Sequence, residues 1–277
     1  MSRFGTGAVL AAALITWTAN TARAQEWTGA YVAGSIGAAL LREADDEAVR
    51  FDTNLDGDFG DTVRTAAGAD AFSPGFCPGL AVNALPASGC SEDEGGVDAG
   101  GRVGYDWQIG RLVVGGLVDV SYMDAKDGVS TFSTTPAFYA FARELNYVAA
   151  MRGRIGTGTD RVLVYGTGGA AWASLDHTFT TSNAVNTFVP ANDMTRTEGS
   201  WGYQAGGGVE VRIGARWSLS GEYLFTSIDD RDEALVRSQG PAPATNPFIL
   251  VNASGTDLQP TRRFDVHGVR VSLGYRF

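Results

Sequence analysis

A period of two in hydrophobicity is the feature that most limits how this chain can fold. From Val97 to Ile109, every second residue is apolar, aromatic or small, and the residues between them are polar, charged or Gly. Because successive side chains of a β-strand point to opposite faces, this pattern predicts a strand with one apolar and one polar face. Further segments of this kind lie at about 27–41, 112–124, 143–157, 161–175, 197–213, 216–225 and 269–277. The sequence therefore predicts an all-β chain of eight strands.

The links between the predicted strands alternate in length. Short links lie at Gly110-Arg111, 157–160 and 214–216, and long links cover about 42–96, 125–142, 176–196 and 227–262. Short turns on one side and long loops on the other are typical of bacterial outer-membrane barrels. No internal stretch has the ~18 consecutive apolar residues of a transmembrane helix. We therefore predict an eight-stranded antiparallel up-and-down transmembrane β-barrel with short periplasmic turns and long extracellular loops.

The turn at Gly110-Arg111 gives an independent test of register. A two-residue turn there places Trp107 opposite Val114, and both belong to the apolar face. The same register places Arg102 opposite Asp119 on the polar face. Because a slip of one residue would exchange the two faces, this agreement supports the predicted hairpin.

Aromatic residues near the strand ends indicate the medium around the apolar face. We assign Trp27, Trp107, Trp217, Tyr275 and Phe277 to the turn side, and Trp172, Trp201, Tyr122, Tyr147 and Phe225 to the loop side. Two aromatic belts around a band of small apolar residues predict a lipid interface. A soluble lipocalin-like barrel is the alternative, but the charged face is too sparse and too rich in Gly for a solvated exterior.

Residues 1–24 have the three parts of a secretory signal peptide. Arg3 gives a basic start, Gly5–Trp17 are mostly small or apolar, and Ala22-Arg23-Ala24 fits an A-x-A cleavage site. Cleavage there leaves residues 25–277 as the predicted barrel domain. The chain has 21 Lys and Arg against 31 Asp and Glu, a net charge of −10. This balance argues against nucleic acid as a partner.

Several motifs together resemble the porin-like outer-membrane β-barrel family of Gram-negative bacteria, which is related to the outer membrane protein A transmembrane barrel. Trp27–Val32 is similar to the WTGxYxG opening of that family. The other similar segments are Gly101–Trp107, Met151–Gly156, Leu163–Gly169, Trp217–Leu224 and Val269–Phe277. The likeness covers all eight strands in order, although each motif alone is weak.

This resemblance implies a location in the outer membrane and a structural, surface or weak porin-like role. It also implies contact with outer-membrane lipid and lipopolysaccharide, and recognition by the barrel-assembly machinery. In such proteins an aromatic C-terminal residue is the assembly signal, and Phe277 with Tyr275 and Leu273 fits that pattern. The first loop is unusually long and acidic, so loop-borne activities of relatives do not carry over to this chain.

Charged residues on the inward faces are expected to form a network at mid-height in the lumen. The candidates are Arg102, Arg152, Arg154, Arg270, Asp119, Glu210 and Glu222. The interior of an eight-stranded barrel is just wide enough to be filled by side chains, so these charges need partners. We expect Arg102 to pair with Asp119 and Glu222 with Arg270. A hydrated lumen whose charges line a small channel is the alternative.

The long first loop, at about 42–96, contains 12 acidic and 3 basic residues. Asp52, Asn54, Asp56 and Asp58 fit the first half of a calcium-binding loop. Val63 occupies the position where such a loop needs a bidentate Glu, so a solvated acidic loop is expected. Weak binding of a divalent cation is the alternative; we predict no dedicated metal site and no cofactor.

Cys77 and Cys90 are the two cysteines of the chain, and both lie in the first loop. An even number of cysteines behind a signal peptide predicts a disulfide, with two free thiols as the alternative.

Signals for catalysis are weak. His177 lies beside Asp176 and near Ser182, but their spacing is arbitrary for a hydrolase site. Gly166–Ala171 superficially matches a dinucleotide fingerprint, yet the following residues continue as a strand. We therefore expect a non-catalytic protein. The main alternative is a surface ligand-binding or adhesin protein that acts through its extracellular loops.

Overall fold

The computed structural model describes residues 27–41, 47–190, 198–230, 234–261 and 263–277. The predicted signal peptide at 1–24 lies outside these residues. The strands are β1 (Gly29–Leu41), β2 (Val49–Asp52), β3 (Phe76–Pro78), β4 (Gly96–Ile109), β5 (Leu112–Ser133), β6 (Ala137–Gly158), β7 (Val162–Thr181), β8 (Thr187–Pro190), β9 (Glu198–Arg212), β10 (Trp217–Asp229), β11 (Val236–Gln239), β12 (Thr256–Pro260) and β13 (Arg263–Arg276). A short 3₁₀-helix spans Pro86–Ser88. Over the described ranges, no helix has the length and hydropathy to cross a membrane.

Eight long strands form a closed antiparallel ring in the order β1-β4-β5-β6-β7-β9-β10-β13, and β13 pairs with β1 to close it. This confirms the predicted eight-stranded barrel. The register is also confirmed, because Trp107 lies opposite Val114 and Arg102 opposite Asp119. Closure leaves the ring without a free sheet edge, as a lipid environment requires.

The two faces of β1 show which side of the alternating pattern points outward and which points into the barrel. The side chains of Val32, Ile36 and Leu40 are exposed on the outside, whereas Tyr31 and Ala39 are buried inside. The outer faces of the other barrel strands are likewise aliphatic or aromatic and exposed. An apolar exterior with a buried, partly charged interior is the arrangement of a membrane barrel.

Trp27 does not belong to the turn-side aromatic belt to which we assigned it. Its side chain is fully buried and packs with Val113, Leu163 and Tyr165 inside the periplasmic end of the barrel. The indole Nε1 donates a hydrogen bond of 2.7 Å to the carbonyl oxygen of Thr159. Trp27 therefore closes the periplasmic mouth and does not face lipid.

The segment 125–142, predicted as a loop, is mostly strand. β5 and β6 remain paired past the barrel up to Ser133 and Ala137, with an irregularity between Tyr122 and Ala125. Their outer ends are buried because Val129, Tyr139 and Phe141 pack against the other extracellular segments. Tertiary packing thus keeps the two strands paired through a segment that we predicted as a long link.

The extracellular segments fold together into a unit that we call the cap. It comprises a second sheet in the order β2-β12-β11-β8, the first-loop segment 47–95, and the outer ends of β5, β6 and β7. Its core is rich in aromatic rings, which include Phe51, Phe72, Tyr139, Phe141 and Phe248. These loops therefore have a hydrophobic core of their own.

Candidate functional site: the filled lumen and the cap

A layer of ion pairs fills the middle and lower lumen. All seven predicted lumen residues are at most 6% exposed. Within the described parts of the chain, the layer contains five arginines and five carboxylates: Arg102, Arg152, Arg154, Arg270, Arg276, Asp98, Asp106, Asp119, Glu210 and Glu222. The formal charges in this layer therefore balance.

Arg270 is the centre of one group. Its guanidinium contacts Asp98, donates a 2.9 Å hydrogen bond to Oδ1 of Asp119, and donates another of 2.9 Å to Oγ of Ser121. Arg152 lies 3.6 Å from the other oxygen of Asp119. The guanidinium of Arg270 thus joins β13 to β4 and β5 through the barrel interior.

Glu222 is the centre of the second group. It accepts hydrogen bonds of 2.9 Å from Arg102, 3.3 Å from Arg152 and 2.8 Å from the hydroxyl of Tyr165. The predicted pairs Arg102–Asp119 and Glu222–Arg270 are therefore wrong, although the backbone register behind them is right. The long arginine side chains leave their cross-strand neighbours and reach carboxylates elsewhere in the lumen.

A third group lies nearer the periplasmic end. Arg154 is 2.9 Å from both Asp106 and Glu210, and Arg276 is 2.9 Å from Asp106. The guanidinium of Arg154 also lies over the ring of Tyr165 at 4.4 Å. The predicted network lacked three residues of this layer, Asp98, Asp106 and Arg276. Asp98 and Asp106 nevertheless lie on the polar face of the alternation that identified β4.

An apolar layer lies above the ion pairs. It includes Met123, Leu145, Leu175, Ile228 and Phe264, each at most 1% exposed. These side chains come from strands on several sides of the ring, so they meet across the lumen. An ion that entered from the cap side would have to pass between these apolar side chains.

A buried polar cluster connects the barrel to the cap. Arg143 contacts Asp127 and lies 3.6 Å from Asp230, whose two oxygens are each 3.0 Å from His177 Nε2. Burial alone would raise the pKa of the Asp230 carboxyl, but the hydrogen bond with His177 and the charge of Arg143 lower it below its usual range. Arg143 also donates to the carbonyl oxygen of Thr261. The cluster ties β5, β6 and β7 to segments that lead into and out of β11 and β12.

The hydrolase arrangement considered for His177 is not formed. Asp176 accepts a hydrogen bond from Asn146, and the Ser182 hydroxyl accepts one from the backbone N–H of Phe138. His177 is 3% exposed and contacts Asp230.

The calcium-like sequence forms a tight turn after β2. Asp52 is 1% exposed, and its carboxylate accepts hydrogen bonds from the backbone N–H groups of Leu55, Asp56 and Gly57. Asn54 contacts Asp56, and Asp58 donates its N–H to Asp56. The side chains of this motif thus shape the turn itself.

Carboxylates that could hold a cation also occur at the junction of barrel and cap. Oxygens of Glu47, Asp93 and Asp127 lie within 4.8 Å of one another. Asp127 is at the same time the ion-pair partner of Arg143, which reduces the negative charge that this group offers to a metal.

The disulfide predicted for the first loop is present between Cys77 and Cys90, whose Cα atoms are 6.3 Å apart. Cys77 lies on β3, which pairs with the outer part of β5. The disulfide therefore holds the first-loop segment between Cys77 and Cys90 against the long β5–β6 hairpin.

The residues of the predicted assembly signal lie on the lipid-facing side of β13. Leu273 and Phe277 are 48% and 70% exposed. The ring of Tyr275 packs against Trp217 at 5.1 Å and against Phe277 at 5.3 Å. The three side chains thus form an apolar ridge that ends in an aromatic cluster at the turn side.

The comparisons of this sequence with known proteins agree with one another, because each finds outer-membrane proteins. Residues 9–277 match the family described as outer membrane protein beta-barrel domain. The chain is 28% identical over 185 residues to the 31 kDa outer-membrane immunogenic protein of Brucella melitensis biotype 1, covering 66% of this chain and 67% of that protein. It is 28% identical over 135 residues to a 22 kDa outer membrane protein of Rhizobium leguminosarum bv. viciae, covering 48% and 54%.

Two solved structures were also compared with this chain. The outer membrane protein OprG from Pseudomonas aeruginosa is 12% identical, with a TM-score of 0.47, and the match covers 91% of this chain and 99% of OprG. Ail, the attachment invasion locus protein of Yersinia pestis, is 12% identical with a TM-score of 0.34, covering 90% and 99%.

Proposed function

Because this chain belongs to the outer membrane protein beta-barrel domain family, we propose that it is a sealed barrel with a structural and surface role. It resides in the outer membrane, and its cap is the part that faces the outside. In this proposal the barrel anchors the cap and conducts no solute. The weak porin-like role that the sequence left open is the alternative.

The filled lumen is the observation that carries this proposal. Trp27 and Tyr165 occupy the periplasmic end, balanced ion pairs fill the middle, and an apolar layer separates them from the cap. A porin keeps a polar, water-filled interior. Here an ion would have to disrupt buried pairs, and removing one partner of such a pair costs roughly 3–5 kcal/mol.

Planar-bilayer recording of the refolded protein tests the proposal. We expect no steady conductance from the wild-type protein, because its lumen is packed. Asp119→Ala should lower the thermal stability of the barrel and add brief openings, since Asp119 contacts both Arg270 and Arg152. Steady wild-type conductance, with Asp119→Ala leaving stability unchanged, would contradict the sealed barrel.

We also propose that the protein is not an enzyme. The side chain of His177 is buried, and its ring contacts a carboxylate that also faces Arg143. A structural link between barrel and cap accounts for these contacts. His177→Ala should therefore lower the stability of the cap and change no lipid-hydrolysing or acyl-transfer activity. Loss of such an activity in the variant would argue for catalysis.

The proposed partners follow from location. The exposed apolar faces fit outer-membrane lipid, with lipopolysaccharide around the outer half. The ridge of Leu273, Tyr275 and Phe277 is proposed as the signal for the barrel-assembly machinery. Weak binding of a divalent cation by the first loop stays a proposal for Asp52, Asn54, Asp56 and Asp58.

Ligand binding through the cap is the second candidate function. It is favoured because the extracellular segments fold around a core of aromatic side chains and enclose a pocket at their tip. Screening the detergent-solubilised protein against immobilised matrix proteins and glycans would test it. Binding to neither class would remove this candidate and would leave the sealed barrel unaffected.

A further inference from the structure

The short turns at the periplasmic end of the barrel are basic. Residues 110–111, 159–161 and 212–216, which we call the periplasmic rim, contain four arginines and one aspartate. Four positive charges and one negative charge give the rim a formal charge of +3. The first loop, at the opposite end of the barrel, has 12 acidic and 3 basic residues. The two ends of the protein therefore meet their surroundings with opposite charge.

The periplasmic rim lies at the depth of lipid headgroups. Ile213 of the rim donates a 3.0 Å backbone hydrogen bond to Trp217, and Arg216 donates one of 2.8 Å to the hydroxyl of Tyr275. Both aromatic residues belong to the turn-side belt, and such belts lie at headgroup level. The headgroup layer adds roughly 5–8 Å to each side of the hydrocarbon core, and turns this short do not project far beyond it. The rim arginines are therefore placed beside lipid phosphates.

A cavity of about 330 Å³ lies between two turns of the periplasmic rim. It is lined by Asp160 and Arg161 of the β6–β7 turn and by Arg212, Ile213 and Gly214 at the β9–β10 turn. The backbone N–H of Arg212 donates a 2.8 Å hydrogen bond to the carbonyl oxygen of Arg161, which holds the two turns together. Two arginines thus line one small space at headgroup depth.

The two arginines of this cavity are held differently. Arg212 donates a 2.6 Å hydrogen bond to the carbonyl oxygen of Ala215, which positions its guanidinium at the cavity wall. Arg161 is exposed, and its side chain forms no hydrogen bond or ion pair with any residue that the structure describes, Asp160 included. A guanidinium binds phosphate through paired N–H donors. The donors of Arg161 are therefore available to a phosphate group from outside the chain.

An apolar strip continues from this cavity along the lipid-facing side of β7 and β9. Ile213, which lines the cavity, is 60% exposed. Val211 and Val162 lie opposite each other on the two strands, and they are 39% and 37% exposed. This strip offers an acyl chain an apolar surface next to the arginines. A ligand that joins a phosphate to an acyl chain would use both features, whereas a free anion would use the arginines alone.

We propose that the periplasmic rim binds anionic phospholipid of the inner leaflet, with the phosphate in the cavity beside Arg161 and Arg212. Basic residues near a membrane surface attract anionic lipid, so Arg111 and Arg216 add to this attraction. Asp160 opposes it, because its carboxylate repels the phosphate. The proposal goes beyond the sealed barrel and does not depend on it, since it concerns the periplasmic end of the wall and not the lumen.

Quenching of tryptophan fluorescence by brominated lipids tests this proposal. The protein is refolded into phosphatidylcholine bilayers that contain increasing amounts of brominated phosphatidylglycerol or, for comparison, brominated phosphatidylcholine. A reporter variant with Trp107→Phe, Trp172→Phe and Trp201→Phe retains Trp217 beside the cavity and the buried Trp27. We expect phosphatidylglycerol to associate near Trp217 about fivefold more strongly than phosphatidylcholine.

Three substitutions are compared in this reporter variant. Arg161→Gln should lower the preference for phosphatidylglycerol about fivefold, because it removes one positive charge at the lipid surface. Asp160→Asn should raise the preference, because it removes the carboxylate that repels the phosphate. Arg50→Gln is the matched control, since Arg50 is exposed in the cap, and it should change the preference less than about twofold because salt screens distant charges. Heat-modifiable gel mobility shows that each variant is folded.

A second reporter variant, which retains Trp201 at the cap side in place of Trp217, shows whether the preference is local. We expect its preference for phosphatidylglycerol to be less than about twofold, because the cap is acidic. Equal preference at Trp201 and Trp217, or none at Trp217, would overturn the proposal.

Two other results would also overturn it. If Asp160→Asn lowered the preference, the cavity would be selecting a ligand that carries a positive group. If Trp217 showed no lipid preference while the protein bound purified peptidoglycan and Arg161→Gln abolished that binding, the rim would contact the cell wall instead of lipid. Steady conductance of the wild-type protein would refute the sealed barrel and leave the lipid site unaffected.

Discussion

Replacing Arg270 with Met tests whether the ion pairs of the lumen are truly buried. The side chain of Met is unbranched and apolar, so the change removes the guanidinium and keeps part of the volume. In the structure this guanidinium contacts Asp98, Asp119 and Ser121. Asp119 retains Arg152 at 3.6 Å, whereas Asp98 has no second ion-pair partner among the residues that the structure describes.

The expected loss follows from burial. Arg270, Asp98 and Asp119 are each at most 1% exposed. Breaking a buried pair by removing one partner costs roughly 3–5 kcal/mol, because the remaining charge is left without compensation. Arg270→Met should therefore lower the free energy of unfolding by about 3–5 kcal/mol. The double variant with Asp98→Asn should regain on the order of 1–2 kcal/mol, since one uncompensated charge is removed.

Urea unfolding of the protein refolded into lipid vesicles, followed by tryptophan fluorescence, measures these differences. Arg111→Met is the matched control, because Arg111 is exposed in a periplasmic turn. Its effect should stay within about 0.5 kcal/mol. If Arg270→Met cost less than about 1 kcal/mol, water would be compensating the carboxylates, and the packed lumen would be refuted.

Three further predictions concern the cap and the last strand. Cys77→Ser should leave membrane insertion intact, because the disulfide acts outside the bilayer, but it should expose the segment after β3 to added protease; failure to reach the membrane would contradict this. Deletion of Phe277 should leave protein in the periplasm if the ridge on β13 is the assembly signal, and normal surface levels would refute that role. The lowered pKa of Asp230 means that its contribution to stability is complete above about pH 4 and is lost as the pH falls through the folded-state pKa. The protection factors of the cap amides, which compare their exchange rates with the intrinsic rate at each pH, should therefore fall in acid for the wild type and much less for Asp230→Asn; identical acid profiles would argue against the cluster.

The barrel could be predicted from sequence because two local rules determine it. Alternation assigns each residue to a face, and a short turn such as Gly110-Arg111 fixes which residues of the two strands are opposite. Both rules act between near neighbours, so no knowledge of distant packing is needed. They place Arg102 opposite Asp119 and predict the inward direction of both side chains correctly.

The errors arose where distant groups compete. An arginine side chain is long enough to reach several carboxylates, so the strand register did not determine the partner of Arg102. Trp27 was assigned to lipid from its position near a turn, although it lies four residues before Tyr31 and so has the same parity as this inward-facing residue of β1. That signal was in the sequence. The cap had no comparable signal, because its core joins Phe51, Phe72 and Phe248 from segments far apart in the chain.

The long β5–β6 hairpin also has a mechanical consequence. β5 contains 22 residues, which corresponds to about 75 Å of extended chain, and the hydrocarbon core of a bilayer is only about 30 Å thick. The same two strands that are anchored in lipid therefore run on through the cap to the β5–β6 turn. Force applied to that turn acts along the two strands and therefore shears their backbone hydrogen bonds. Many of these hydrogen bonds resist the force at the same time. Tension from the cell exterior would thus reach the barrel wall without first stretching a slack loop.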